Sequence, residues 1–389
     1  DEEADVRQAL TVLAIWCAGL GAAAQFGKIS ILYADFATLY AGQTAEAIGL
    51  VVSVVGMVGL IFGTTAGLMV ERIGPRRAIV AALAMGAAMS ALQAQVLPYG
   101  LMLLSRLIEG FSHLAIVVVG PMVMAGATSA RWRGAAMTLW SSFFGVTYTV
   151  LALLAPWRIE GLFLAHALWM AGLALVLAAI LPPDVAPAPR AAGAGGWLGQ
   201  HLEIYRSPRM AAPAMGFFCY TFLYVALLTL LPVQIPGDWA VWAAAAMPFV
   251  SIALSLTLGV WLLSRLAPVR LVQLGYAVAI PGFLGLALVW GQAGAMTFAA
   301  LWIAGALGLV QGASFAAIPA LNPTTEGRAR AAGAIAQLGN LGTTTGTPVL
   351  AAILAGAGPG GLALIALLAC ALGIALHRLQ ARRRQILST

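Results

Sequence analysis

Polar side chains are spaced so widely along this chain that the hydrophobic pattern resolves into twelve apolar runs. They lie at residues 9–39, 45–70, 78–97, 100–127, 135–156, 161–181, 211–231, 239–263, 271–290, 293–321, 331–357 and 361–376. About 20 apolar residues in helical form cross the hydrocarbon of a bilayer. Backbone N–H and C=O groups meet no water there, so each segment must pair its own, as a helix does. Barrel strands of roughly 9–11 residues do not account for runs of this length. The pattern therefore predicts an all-α membrane protein with twelve transmembrane helices.

Composition sharpens the class. Hydrophobic residues make up 62% of the chain and charged residues 8%, against about 25% charged in an ordinary soluble domain. Of the 20 Lys and Arg residues, 17 fall in alternate loops or at the two ends, and the loops between them carry only Arg158. The positive-inside rule makes the crowded side cytoplasmic and places both termini there. The expected location is a bacterial cytoplasmic (inner) membrane. The net charge of +7 is then a product of topology, so the bilayer is the expected partner surface and nucleic acid is not. An acidic start followed by a first apolar run far longer than a signal h-region predicts no cleavable signal peptide. Cys17, Cys219 and Cys370 lie in three different runs without metal-ligand spacing. They read as small apolar residues, and neither metal nor cofactor is expected.

One segment interrupts the pattern: residues 182–209 are rich in Pro, Ala and Gly. The expected organisation is an N-terminal six-helix bundle at 1–181, a cytoplasmic linker at 182–209 and a C-terminal six-helix bundle at 210–389. The halves also resemble each other. Arg72, Pro75 and Arg77 match Arg265, Pro268 and Arg270 at a constant offset of 193 residues. Arg131 and Arg133 match Arg328 and Arg330, and Glu109–Gly110 matches Gln311–Gly312. Two similar bundles around a midplane site are the architecture of secondary transporters.

Specific motifs carry a family resemblance. The stretch Gly67, Glu71, Arg72, Gly74, Arg76 and Arg77 resembles the loop signature of the major facilitator superfamily, with a Gly, an acid and a base four and five residues on, then Gly and a basic pair. Arg106, Glu109 and Gly110 resemble a second signature of that family, with Glu109 in place of the usual Gln. The run Gly339, Asn340, Gly342, Thr343, Thr344, Thr345, Gly346 and Pro348 is similar to eleventh spans of the family. The resemblance implies two pseudo-symmetric six-helix bundles, and a gating latch at Glu71 and Arg72. The fifth run has Gly145 as its only interior glycine and no Gly-Pro step. That departs from the signature of the family's drug and proton antiporters.

Candidate chemistry is confined to a few buried positions. Lys28, Asp35, Arg106 and Glu109 are strongly ionisable residues inside predicted spans. An intramembrane charge is costly and marks a pathway, a partner charge or both. Lys28 and Asp35 stand seven residues apart, and Arg106, Glu109 and His113 three and four apart, so each set shares a helix face. The resemblance implies that both faces line a central cavity, where two cations and two carboxylates would form a nearly balanced cluster. Two readings stay open. In one, Lys28 and Arg106 clamp an anionic solute while Asp35, Glu109 or His113 handles the coupling proton. In the other, the charges pair only with each other and hold helices together, while an uncharged or cationic solute binds elsewhere.

Gln25, Trp140, Ser141, Tyr220, Tyr224, Gln311 and Asn340 are further candidate solute contacts, each with an alternative as an interhelical hydrogen-bond residue. His166 reads as structural and close to the outer interface. The function expected is secondary active transport of a small organic anion by alternating access, coupled to protons, in a monomer. Proton-driven efflux of a drug or metabolite is the alternative within that class. A transporter-like solute sensor or assembly factor is the alternative outside it. No nucleophile elbow, phosphate loop or metal spacing points to an enzyme.

Overall fold

The computed structural model describes residues 2–184 and 197–386, and among them there is no strand. Arg190 lies outside the described residues, as do the side chains of Glu71, Arg131, Arg133 and Trp197. In chain order the helices are α1 (Glu2–Ile31), α2 (Tyr33–Leu39), α3 (Ala45–Ser53), α4 (Gly56–Phe62), α5 (Ala66–Ile73), α6 (Pro75–Gln93), α7 (Tyr99–Ala127), α8 (Ala130–Ser141), α9 (Phe143–Leu154), α10 (Arg158–Ile180), α11 (Trp197–Arg206), α12 (Ala211–Leu230), α13 (Trp239–Leu254), α14 (Val260–Leu263), α15 (Pro268–Leu288), α16 (Ala293–Leu321) and α17 (Thr325–Ile386).

Every apolar run read from the sequence falls on helix, but runs and helices do not correspond one to one. Among the described residues eight helical stretches are long and apolar enough to cross a membrane, or nine when α3 and α4, bent by 62° at their junction, count as one. Two of the eight are far longer than one crossing needs: Phe143–Ile180 has 38 residues and Glu326–Ile386 has 61. The first is interrupted by a short 3-10 turn at Ala155–Trp157, the second by Gly358, whose φ of 64° and ψ of −160° are not helical. Each therefore covers two of the runs. Helix α6, which opens on Pro75, Arg76 and Arg77, supplies the remaining one.

The chain divides into two compact units, Asp1–Gly42 with Thr65–Ala188 and Gln43–Thr64 with Pro189–Thr389. This grouping departs from the division expected from the linker at one segment, α3 and α4. Their glycines explain it. A Cβ at Gly49 would meet the Pro348 backbone, and one at Gly59 would meet the Asn340 side chain, so α3 and α4 lie directly on α17.

The first unit is built around α1, which packs against α7, α9 and α10, while α6 fills the space between α7 and α10. Its core includes Ile15, Ala18, Ala22, Ile79, Leu83, Val119, Met124, Met170 and Leu177. The second unit is organised by α12 against α17 and by α15 and α13 against α16. At the α12–α17 crossing, Gly342 and Gly346 let the backbones touch. A Cβ at Gly346 would stand 2.0 Å from the Phe222 carbonyl oxygen, and one at Gly342 2.6 Å from that of Phe218. This is a small-xxx-small contact, in which apposed backbones supply the packing that hydrophobicity cannot supply in lipid.

The connector helix α11 is tied into this second unit. Tyr205 donates to Gln337 Oε1 at 2.6 Å, His201 Nε2 meets Thr64 Oγ1 at 2.8 Å, and Arg330 pairs with Glu203 at 2.8 Å. Burial pushes the Tyr205 hydroxyl up to about 12, so it remains a donor across the physiological range.

Candidate functional site

The intramembrane charges of the first unit converge. Glu109 on α7 is fully buried and receives Lys28 Nζ at 2.5 Å on one oxygen and Arg106 at 2.5 Å on the other. Gln93 Nε2 adds a bond to Oε2 at 3.0 Å. Arg106 also donates to the Gln25 carbonyl at 2.5 Å, and Lys28 to Ser90 Oγ at 3.1 Å. Four helices contribute, with Gln25 and Lys28 from α1, Ser90 and Gln93 from α6, Arg106 and Glu109 from α7, and His166 from α10. The spacings explain the convergence, because positions three and four apart on α1, α6 and α7 turn one face of each helix inward.

His166 sits inside this cluster, which corrects its expected position near the outer interface. Its Nδ1 lies 2.9 Å from Ser90 Oγ and 3.5 Å from Lys28 Nζ, and its Nε2 lies 2.9 Å from the Gly21 carbonyl. A carbonyl only accepts, so Nε2 carries the proton. Ser90 Oγ also lies 2.9 Å from the Phe163 carbonyl, so its single proton serves either that carbonyl or His166 Nδ1. Sequence reasoning missed Ser90 and Gln93 altogether. Their signal was available as two polar residues one turn apart in an otherwise apolar stretch of α6.

Asp35 is not brought to the cluster. Helix α1 ends at Ile31 and α2 begins at Tyr33, so the shared face is interrupted, and Asp35 pairs with Arg158 at 3.3 Å. The expected balance of two cations and two carboxylates is therefore not met. Lys28, Arg106 and Glu109 in their ordinary ionised forms carry one positive charge in excess, all at 0% exposure.

The remaining candidates are scattered. Gln25 is buried beside the cluster and donates to Ser112 Oγ at 2.8 Å. His113 is half-buried one turn beyond Glu109, with Nδ1 2.9 Å from the Ala22 carbonyl and its ring edge-on to Phe26. Trp140 packs into the core of the first unit against Gly19, Gly120 and Phe143, and Ser141 is exposed with its hydroxyl on the Thr138 carbonyl. In the second unit Tyr220 and Tyr224 are buried and stacked, with centroids 5.0 Å apart. Gln311 is half-buried on α16. Asn340 donates to the Ala336 carbonyl at 2.7 Å and packs against Gly59.

The loop signature has a clear local geometry. Gly74 adopts φ 98°, a conformation that L side chains rarely take, and this turn lets α5 end and α6 start at Pro75. The Asp184 carboxylate then accepts from the backbone N–H of Arg76 at 2.8 Å and of Arg77 at 2.9 Å, capping α6 from a distant part of the chain. Arg76 reaches the Ala178 carbonyl at 2.5 Å. Gly67 has open space around it, and Arg72 is exposed. Asp184→Ala is expected to cost about 1 kcal/mol by leaving these two donors without their acceptor at a positive helix end. A thermal melt of the purified variant checks this, and an unchanged midpoint would count against the cap.

Helices of membrane length, with ionisable side chains paired away from lipid, are the construction of a polytopic membrane carrier. Residues 11–347 match the Major Facilitator Superfamily, and the chain belongs to that family of membrane transporters. Among curated proteins it is similar to the inner membrane transport protein YajR of Escherichia coli, at 25% identity over 200 residues. That match covers 50% of this chain and 43% of YajR, so the chain spans less than half the length of this relative.

Among solved structures it is similar to the E. coli fucose:proton symporter FucP, at 17% identity and TM-score 0.64, covering 96% of this chain and 98% of that one. A second structure, of FucP in the outward conformation, gives TM-score 0.67 at the same identity and coverage. These likenesses show the fold.

Proposed function

We propose that this protein is a proton-coupled secondary transporter that moves a small organic anion across a bacterial cytoplasmic membrane by alternating access, with Lys28, Arg106 and Glu109 as its coupling centre. The observation that carries this reading is the excess positive charge buried among those three residues. A buried charge without a counter-ion costs several kcal/mol. It is relieved when an anion arrives or when a proton leaves. Because either event removes the need for the other, solute binding and proton binding are linked. An anion stabilises the protonated centre, the proton stabilises the anion-bound centre, and the two travel together.

Arg106 suits the task because its planar fork matches a carboxylate or phosphate, and Lys28 adds a compact point charge. Both are already engaged by Glu109, so the incoming anion competes for a cation and the helices around the cluster must part to admit it. FucP, of the same fold, is named a proton symporter, which favours the proton as coupling ion.

The test uses purified protein in liposomes loaded with a pH-sensitive dye. Among a panel of small carboxylates, with neutral sugars as controls, at least one anion is expected to drive an internal pH change. Lys28→Gln is expected to abolish that change while leaving a monodisperse folded protein. The opposite reading, in which the charges serve only to hold helices together, is favoured by their complete enclosure. It predicts unaltered transport in Lys28→Gln with a lowered melting temperature, and that result would sink the coupling centre.

A further inference from the structure

A second charged site lies in the second unit, remote in sequence from the cluster. Arg209, at the entry to α12, and Arg384, near the end of α17, line an open recess of about 440 Å³ together with Ala320, Leu321, Ala381 and Gln385. Three carboxylate side chains occur in residues 189–389, namely Glu203, Asp238 and Glu326. Two of them are taken by Arg330, at 2.8 and 2.7 Å. Asp238 precedes α13, at the far end of α12 from Arg209. Among the described residues neither Arg209 nor Arg384 makes an ion pair with a carboxylate. Two arginines therefore line one recess without a carboxylate partner among the described residues.

The walls are fixed. Arg384 donates to the Pro208 carbonyl at 2.9 Å, Arg383 to the Arg206 carbonyl at 2.9 Å, and Asn322 Nδ2 to the Arg209 carbonyl at 3.2 Å. These bonds pin the turn before α12 to the ends of α16 and α17. Arg384 uses one terminal nitrogen on Pro208, and Arg209 is exposed, with its carbonyl oxygen accepting from Asn322.

Depth indicates what reaches the recess. Leu379 and Ile386, on the same stretch of α17, are 53% and 71% exposed. Large apolar side chains exposed beside arginines mark the level where hydrocarbon gives way to headgroups. Basic pockets at that level between transmembrane helices suit anionic phospholipid headgroups, and guanidinium groups pair well with phosphate oxygens.

We infer that the Arg209–Arg384 recess binds the phosphate of an anionic phospholipid headgroup. The proposal is independent of the solute carried by the first unit. The test compares delipidated protein in neutral detergent with added phosphatidylglycerol, phosphatidylcholine or inorganic phosphate. Melting temperature and lipid retention by native mass spectrometry are the readouts.

Phosphatidylglycerol is expected to raise the melting temperature, and phosphatidylcholine and inorganic phosphate to leave it unchanged. Arg209→Gln is expected to weaken retention of phosphatidylglycerol by about tenfold, the loss of one charge-assisted contact. Among the described residues Arg209 contributes no side-chain bond to the fold, so its variant tests the ligand and not the scaffold. Arg270→Gln, an exposed arginine away from the recess, is expected to retain the full effect. An equal shift with inorganic phosphate would overturn the lipid as ligand and leave a site for soluble phosphate. A phosphatidylglycerol shift that persists in Arg209→Gln, or no shift with either ligand, would overturn the site itself.

Discussion

Glu109→Gln is expected to destabilise the first unit by roughly 3–5 kcal/mol, the range for removing one partner of a buried ion pair. The amide keeps the shape but offers one oxygen acceptor where the carboxylate engages Lys28, Arg106 and Gln93 on two. Two buried cations would then face each other without a counter-charge. A melt of the purified variant measures the loss, and a midpoint within a degree of wild type would refute the assignment of Glu109 as the counter-ion. The double variant Lys28→Gln with Glu109→Gln supplies a second check. It leaves one buried cation in place of two and is expected to recover part of the lost stability. If the two substitutions simply add, the two residues do not act as a pair.

Gly346→Leu has an expected effect of similar size in the second unit, for a different reason. Even a Cβ at that position would stand 2.0 Å from the Phe222 carbonyl oxygen. The obstruction is backbone, so no rotamer change relieves it and α12 must separate from α17. Overpacking of a tight core costs about 1–3 kcal/mol where side chains can give way, and more is expected here. The variant should yield little monodisperse protein after extraction. Wild-type yield and melting temperature would show that the α12–α17 contact is looser than it stands.

Fold class was legible in the sequence because lipid imposes one rule everywhere: a long apolar run must be a helix. Each of the twelve runs lies on helix for that reason. Breaks inside the runs were not legible. Pro281 and Pro121 sit inside continuous helices, whereas the bend between α3 and α4 falls at Val54–Val55, between Ser53 and Gly56 and without a proline. A kink needs both a weakened backbone and neighbours that accept its freed groups, and the neighbours are not written locally.

The candidate site shows the same division. Helix periodicity placed Arg106 and Glu109 on one face, and the cost of charge in lipid marked them, with Lys28, as partners. Nothing local could show that α1 breaks at Leu32 and sends Asp35 to Arg158, or that α10 carries His166 to Lys28. Asp184 was likewise invisible as a cap, since it lies 108 residues from the backbone N–H of Arg76 that it accepts from.

By itself, the order of residues determined that this is a helical membrane protein, where its helices run, and which few charges are buried with them. Those properties follow from transfer of each segment between water and lipid, a cost that each stretch meets alone. Tertiary structure decided which charges meet, which helices touch through glycine, and that one carboxylate answers two cations. Those outcomes depend on distances between segments far apart in the chain, which only packing sets.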